Sequence, residues 1–146
     1  MESKFIEDID ELNRLAPVTS APIRYHIFVC TGKSCSATGS PEVKETFERE
    51  LKSLGILFGN EKKGKNPKGS VVLTECASVG FCAIGVAVLI YPDGVWYAQV
   101  RPEDVREIIQ QHILGGKVLE RLALVKLPVA LAADRNELAP AADWEA

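Results

Sequence analysis

The sequence predicts an α/β domain in which a mixed four-stranded sheet is covered by helices. Three observations carry that expectation. Residues 24–30 (RYHIFVC) and 70–76 (SVVLTEC) are apolar, β-branched runs bounded by turn residues, and an amphipathic helix separates them. Residues 85–91 (GVAVLIY) and 95–100 (VWYAQV) flank Asp93-Gly94, a hairpin signal. Pro102 then opens a second long helix. The order strand, helix, strand, loop, hairpin, helix combines a parallel pair with antiparallel neighbours.

The elements follow in chain order. Phe5, Ile9 and Leu12 share one helical face over residues 2–15, with Ile6 and Leu15 beside it, and Pro17 and Pro22 end that helix in a linker. After the first strand and the loop TGKSCSATG, Ser40 is expected as an N-cap. Pro41 then takes the first helical position, and Val43, Phe47, Leu51 and Leu54 form the buried stripe before Gly55. Residues 60–69 (NEKKGKNPKG) form a basic loop ahead of the second strand. The last helix buries Val105, Ile108, Ile109 and Ile113 and stops at Gly115-Gly116. Residues 117–127 (KVLERLALVKL) are apolar enough to pack on the domain. The expected organisation is an N-terminal helix and linker at residues 1–22, the main domain at 23–127, and an extended tail at 128–146.

The chain has 146 residues, 47% hydrophobic and 25% charged, with a formal net charge of −3. That composition excludes a disordered polyelectrolyte, and the charge offers no broad basic face for nucleic acid. The N-terminus MESKFIEDIDEL lacks the basic start and apolar stretch of a secretory signal. The longest apolar run is also far short of the roughly 20 residues a membrane-spanning helix needs. A cytoplasmic chain without a transmembrane segment is therefore expected, in a compartment where paired thiols serve metal or redox chemistry more often than structural disulfides.

Four cysteines fall as two pairs, Cys30 with Cys35 and Cys76 with Cys82. Two strands joined by a crossover helix run parallel, so Cys30 and Cys76 should share one rim, with Cys35 and Cys82 in the loops that follow. Four thiolates suit zinc or an iron–sulfur centre. The gaps of four and five residues are wider than tight zinc knuckles and favour a [2Fe–2S] cluster. Zinc and reversible dithiol chemistry remain the alternatives, although no C-x-x-C pair is present. Gly32, Gly39, Gly80 and Gly85 would let backbone amides approach the sulfurs.

The motifs VCTGKSC, ATGSPEV, VVLTEC, GFC, VLIYPDGVWYAQVRPEDV and GGKVLERL, in this order, resemble the thioredoxin-like [2Fe–2S] ferredoxin family. The chain is similar to the small iron–sulfur subunit of NADH dehydrogenases and to the N-terminal ferredoxin domain of flavin-binding subunits of NAD-linked hydrogenases and formate dehydrogenases. The resemblance implies a thioredoxin-like sheet and a [2Fe–2S] cluster held by Cys30, Cys35, Cys76 and Cys82. It further implies one-electron transfer, as a ferredoxin or as a small subunit of an NAD-, hydrogen- or formate-linked complex. The partner would be a redox protein or the flavoprotein or hydrogenase-type subunits of such a complex, and a homo-oligomer is compatible with it. A non-redox assembly subunit and a thiol oxidoreductase are the competing classes.

Two departures from the family pattern stand out. The family's second pair is usually C-x3-C, whereas ECASVGFC puts Ser78 where counting back from Cys82 would find a cysteine. Either two residues are inserted after Cys76 or Ser78 supplies an oxygen ligand, and the softer thiolate of Cys76 is favoured. Gly85-Val86 also replaces the family's usual Gly-Pro. No glycine-rich phosphate loop is present, so the chain is expected to exchange electrons with a partner that handles the nicotinamide.

Other candidates have bland readings. Lys62, Lys63, Lys65 and Lys68 are expected to be a solvated loop before they are a steering surface. Lys33, inside the first cysteine loop, would favour the reduced cluster. His26, His112, Trp96 and Tyr97 are read as structural, and Trp144 as a docking anchor or an unstructured terminus.

Overall fold

A computed structural model describes residues 5–16, 21–33, 37–77 and 84–126. Its sheet has five strands: β1 (Tyr25–Cys30), β2 (Val71–Cys76), β3 (Val88–Tyr91), β4 (Val95–Tyr97) and β5 (Ala123–Lys126), in the order β2-β1-β3-β4-β5. β1 and β2 are parallel, and every other pair is antiparallel. The expected mixed α/β architecture is thus present with one strand more than anticipated. β5 comes from the segment expected only to pack on the domain, where the short run ALVK fits either period.

Alternation along β1 separates the two faces of the sheet. Tyr25, Ile27 and Val29 are buried, and their neighbours Val71, Val88, Ile90, Val95 and Tyr97 join them in the main core. Helix α2 (Ser40–Ser53) contributes Val43, Phe47 and Leu51 to that core, and α3 (Pro102–Ile108) adds Val105 and Ile108. His26, Phe28, Leu89 and Trp96 line the other face and are only partly buried. There His26 stacks on Phe28 with ring centroids 4.0 Å apart, and its Nε2 meets the Thr74 hydroxyl at 2.6 Å. Burial holds the His26 pKa below its ordinary value.

Helix starts differ from expectation in two places. Helix α1 (Ile9–Leu15) begins later than residue 2 because the Asp8 side chain accepts from the Asp10 amide at 3.0 Å and closes the helix there. The N-cap of α2 is Gly39, at φ 105°, not Ser40, which is the buried first residue of the helix. The left-handed approach needs a glycine. Beyond α3 the chain widens into a π turn at Ile109–Ile113, which carries the fully buried His112. The 128–146 tail and Trp144 lie outside the described residues.

His112 is structural, as expected, and completely satisfied. Its Nδ1 meets the Tyr97 hydroxyl at 2.8 Å and its Nε2 meets an Asp93 carboxylate oxygen at 2.7 Å, while the Leu119 amide donates to the same hydroxyl at 2.9 Å. Burial pushes the Tyr97 pKa up to about 12.

Candidate metal centre

The β1–α2–β2 unit places two of the four cysteines by backbone alone. In its parallel register Cys30 stands opposite Cys76 at the C-terminal end of both strands, as the crossover rule required. Thr31 locks that end: its amide donates to the Cys76 carbonyl at 2.8 Å and its hydroxyl donates to the same oxygen at 3.2 Å. The Cys30 amide donates to Ala87 O at 3.0 Å, which ties the rim to the segment entering β3. Cys30 is fully buried with Ala87 and Ile84, apart from the main core, whereas Cys76 is half-exposed.

Both sulfurs turn toward the strand junction. The Cys30 Sγ lies 3.9 Å from Ala77 O and the Cys76 Sγ 3.7 Å from Val29 O. Two soft thiol donors therefore sit on adjacent strands at one rim. Cys35, Cys82 and Ser78 lie outside the described residues. The donors in place fit a thiolate-held iron–sulfur group: they are sulfur, and the sheet fixes their separation.

The antiparallel strands deliver more chain to the same rim. The start of β3, the end of β4 and the start of β5 lie there, joined by Gln99 N–H to Ile84 O at 2.8 Å, Val100 N–H to Val86 O at 3.1 Å and Ala98 N–H to Leu122 O at 3.0 Å. A cleft of about 390 Å³ opens between Thr38, Gly85, Gln99 and Arg101, and Asp104 lines it too. Asp104 is buried and receives the Arg101 amide at 3.0 Å, Arg121 at 3.0 Å and the Arg101 Nε at 3.4 Å. Burial pushes its carboxyl up, but these hydrogen bonds outweigh burial and hold it below its ordinary value. Sequence reading missed this cluster. Its one signal was an acid at the third position of the Pro102 helix, where it can reach back to cap the amide of Arg101.

The lysine loop is placed away from this rim. Residues 60–69 lead into the N-terminal end of β2, and six residues of strand, roughly 20 Å at about 3.3 Å each, separate it from Cys76. That position leaves it no direct part at the metal centre and supports the solvated reading. Lys33 is exposed just past Thr31, at the rim itself. Among the described residues no helix is long and apolar enough to cross a membrane.

Comparison with known proteins places the chain among iron–sulfur proteins of the same fold. The family model described as thioredoxin-like [2Fe–2S] ferredoxin matches residues 18–112. A curated 2Fe–2S ferredoxin from Aquifex aeolicus (strain VF5) is 37% identical over 109 residues, covering 69% of this chain and 89% of that protein. One from Clostridium pasteurianum is 36% identical over 109 residues, covering 69% and 96%. The crystal structure of the wild-type thioredoxin-like [2Fe–2S] ferredoxin from Aquifex aeolicus superposes with a TM-score of 0.59 at 33% identity, over 71% of this chain and 99% of that one.

Proposed function

The chain belongs to the thioredoxin-like [2Fe–2S] ferredoxin family, and from that premise we propose that Cys30, Cys35, Cys76 and Cys82 hold its [2Fe–2S] cluster and that it serves as a one-electron carrier between redox proteins. The single observation that supports the ligand set is the register of Cys30 opposite Cys76. The bound cluster supplies a reversible one-electron couple. The protein's own part is to fix the thiolates, shield Cys30 from water and keep Cys76 near the surface, where a partner can approach.

The carrier works as a small subunit of an NAD-, hydrogen- or formate-linked complex in the cytoplasm. The observation favouring a subunit over a diffusible ferredoxin is α1, which lies before the matched residues 18–112 and has no buried residue. Phe5, Ile9 and Leu15 are 85%, 63% and 59% exposed, an apolar surface suited to a partner. In this reading the cluster domain spans residues 23–127, and the segments 1–22 and 128–146 serve docking.

Anaerobically purified protein is expected to be brown, to contain two iron and two acid-labile sulfide per chain as a [2Fe–2S] cluster requires, and to give a reduced-state EPR signal. A colourless protein with one zinc would overturn the assignment. Co-purification from native cells with flavin- or nickel-containing subunits is the expected result for the complex, and a lone chain would leave a diffusible carrier in its place.

A further inference from the structure

Gln99 occupies the left-handed backbone region at φ 51°, and among the described residues no other non-glycine does so. A side chain there crowds the carbonyl oxygen, so its surroundings must hold the conformation. The holders are specific. The Gln99 amide donates to Ile84 O at 2.8 Å and the Val100 amide donates to Val86 O at 3.1 Å. Between those two contacts lies Gly85, at φ 81°. A Cβ on Gly85 would fall 3.0 Å from the Cα of Gln99 and 3.1 Å from its Cγ, so glycine lets the two segments close. The far end is fastened to the first strand, where the Cys30 amide donates to Ala87 O at 3.0 Å. The four residues from Ile84 to Ala87 are thus pinned between Cys30 and the turn after β4, and in sequence Ile84 follows Cys82 by two positions.

We infer that Gln99 is a positioning residue for the cluster: its left-handed backbone, seated on Gly85, sets the anchor of the chain leaving Cys82 relative to Cys30. This rests on the proposed role of Cys82 as a ligand. Gln99 acts through that anchor and not by touching the cluster. With Cys82 as a ligand, displacing this anchor would alter how the chain presents its thiolate, and the spectrum and potential of an iron–sulfur centre follow its ligand geometry and surrounding hydrogen bonds.

The test uses the full-length holoprotein, purified anaerobically, and reads EPR g values and midpoint potential. Gln99→Val places a β-branched side chain where the left-handed region rejects it, and is expected to shift both readouts. Gln99→Gly keeps the backbone and is expected to retain the wild-type values. Wild-type g values and potential in Gln99→Val, with only a lower unfolding temperature, would mean a merely structural residue and overturn the inference. If Gln99→Val does not accumulate as folded protein, Gly85→Ala moves the same contact from the other side. Shifted values there support the anchor and wild-type values overturn it. Cys82→Ser separates the underlying reading: an unchanged spectrum removes Cys82 as a ligand, whereas a changed spectrum beside an unchanged Gln99→Val removes only the role of Gln99.

Discussion

Cys30 faces Cys76 across the last register position of a parallel strand pair, and Thr31 binds the Cys76 carbonyl with both its amide and its hydroxyl. Neighbouring strands lie about 4.8 Å apart. These two proposed ligands are therefore held by the sheet itself, which is the rigidity a metal site needs.

That geometry favours Cys76 over Ser78 as the proposed ligand. A residue in register with Cys30 is already in place, and sulfur is the softer donor toward iron. Cys76→Ser is expected to lose most of the bound cluster, or to retain one with a visibly altered absorption and EPR spectrum. Ser78→Ala is expected to leave iron content and spectrum unchanged. Spectra read side by side check the pair, and the reverse pattern would assign the ligand to Ser78.

Asp104 carries a pH signature. Its carboxyl is held below the ordinary value of 3.8, so its charged form stabilises the fold above that pH. The contribution fades as pH falls through 3.8 toward the lower folded value. Asp104→Asn is expected to lose about 1–3 kcal/mol at pH 7, because the Arg101 amide and the Arg121 guanidinium lose a charged acceptor. Urea unfolding at pH 7 and pH 3 checks this, and the gap between wild type and variant should narrow at the lower pH.

Tyr97 behaves in the opposite sense. Its pKa rises from 10.0 to about 12 on folding. The folded state therefore keeps a proton that the unfolded state releases, and stability declines as pH climbs from 10 to 12. Tyr97→Phe should remove that decline. It should also cost about 1–3 kcal/mol near neutral pH, since His112 Nδ1 and the Leu119 amide both lose their partner. Chemical denaturation at pH 7 and between pH 10 and 12 measures both effects.

What could be read from the chain beforehand followed from periodicity and connectivity. The β-branched runs at residues 24–30 and 70–76, the stripe Val43–Phe47–Leu51 and the crossover rule together located the rim and two of its thiols. Connectivity also held an unused signal: a loop that leads into β2 must lie at the end remote from Cys76, which places Lys62, Lys63, Lys65 and Lys68 away from the site. Other features had no local signature. A glutamine in the left-handed region and the reach of Arg121 across to Asp104 arise from tertiary contacts between distant segments. β5 stayed hidden because a four-residue run shows no distinguishing period until β4 offers it an edge.

The N-terminal segment gives the most direct test of how the chain is divided. Helix α1 has no buried residue, and Ile9 and Leu15 on it are 63% and 59% exposed. An element that buries so little apolar area contributes little to folding, because hydrophobic stabilisation scales with area removed from water. The main core closes without it, using Ile27, Phe47, Leu51, Ile90, Tyr97 and Ile108. Removing residues 1–22 is therefore expected to change unfolding free energy by no more than about 0.5 kcal/mol and to leave the absorption and EPR spectra as they were. Assembly should respond differently: if the apolar face of α1 meets a partner, the truncated chain loses co-purifying subunits while keeping its cluster. A truncated protein that unfolds readily or loses iron would instead make the segment part of the cluster domain and move the boundary at residue 22 toward the N-terminus.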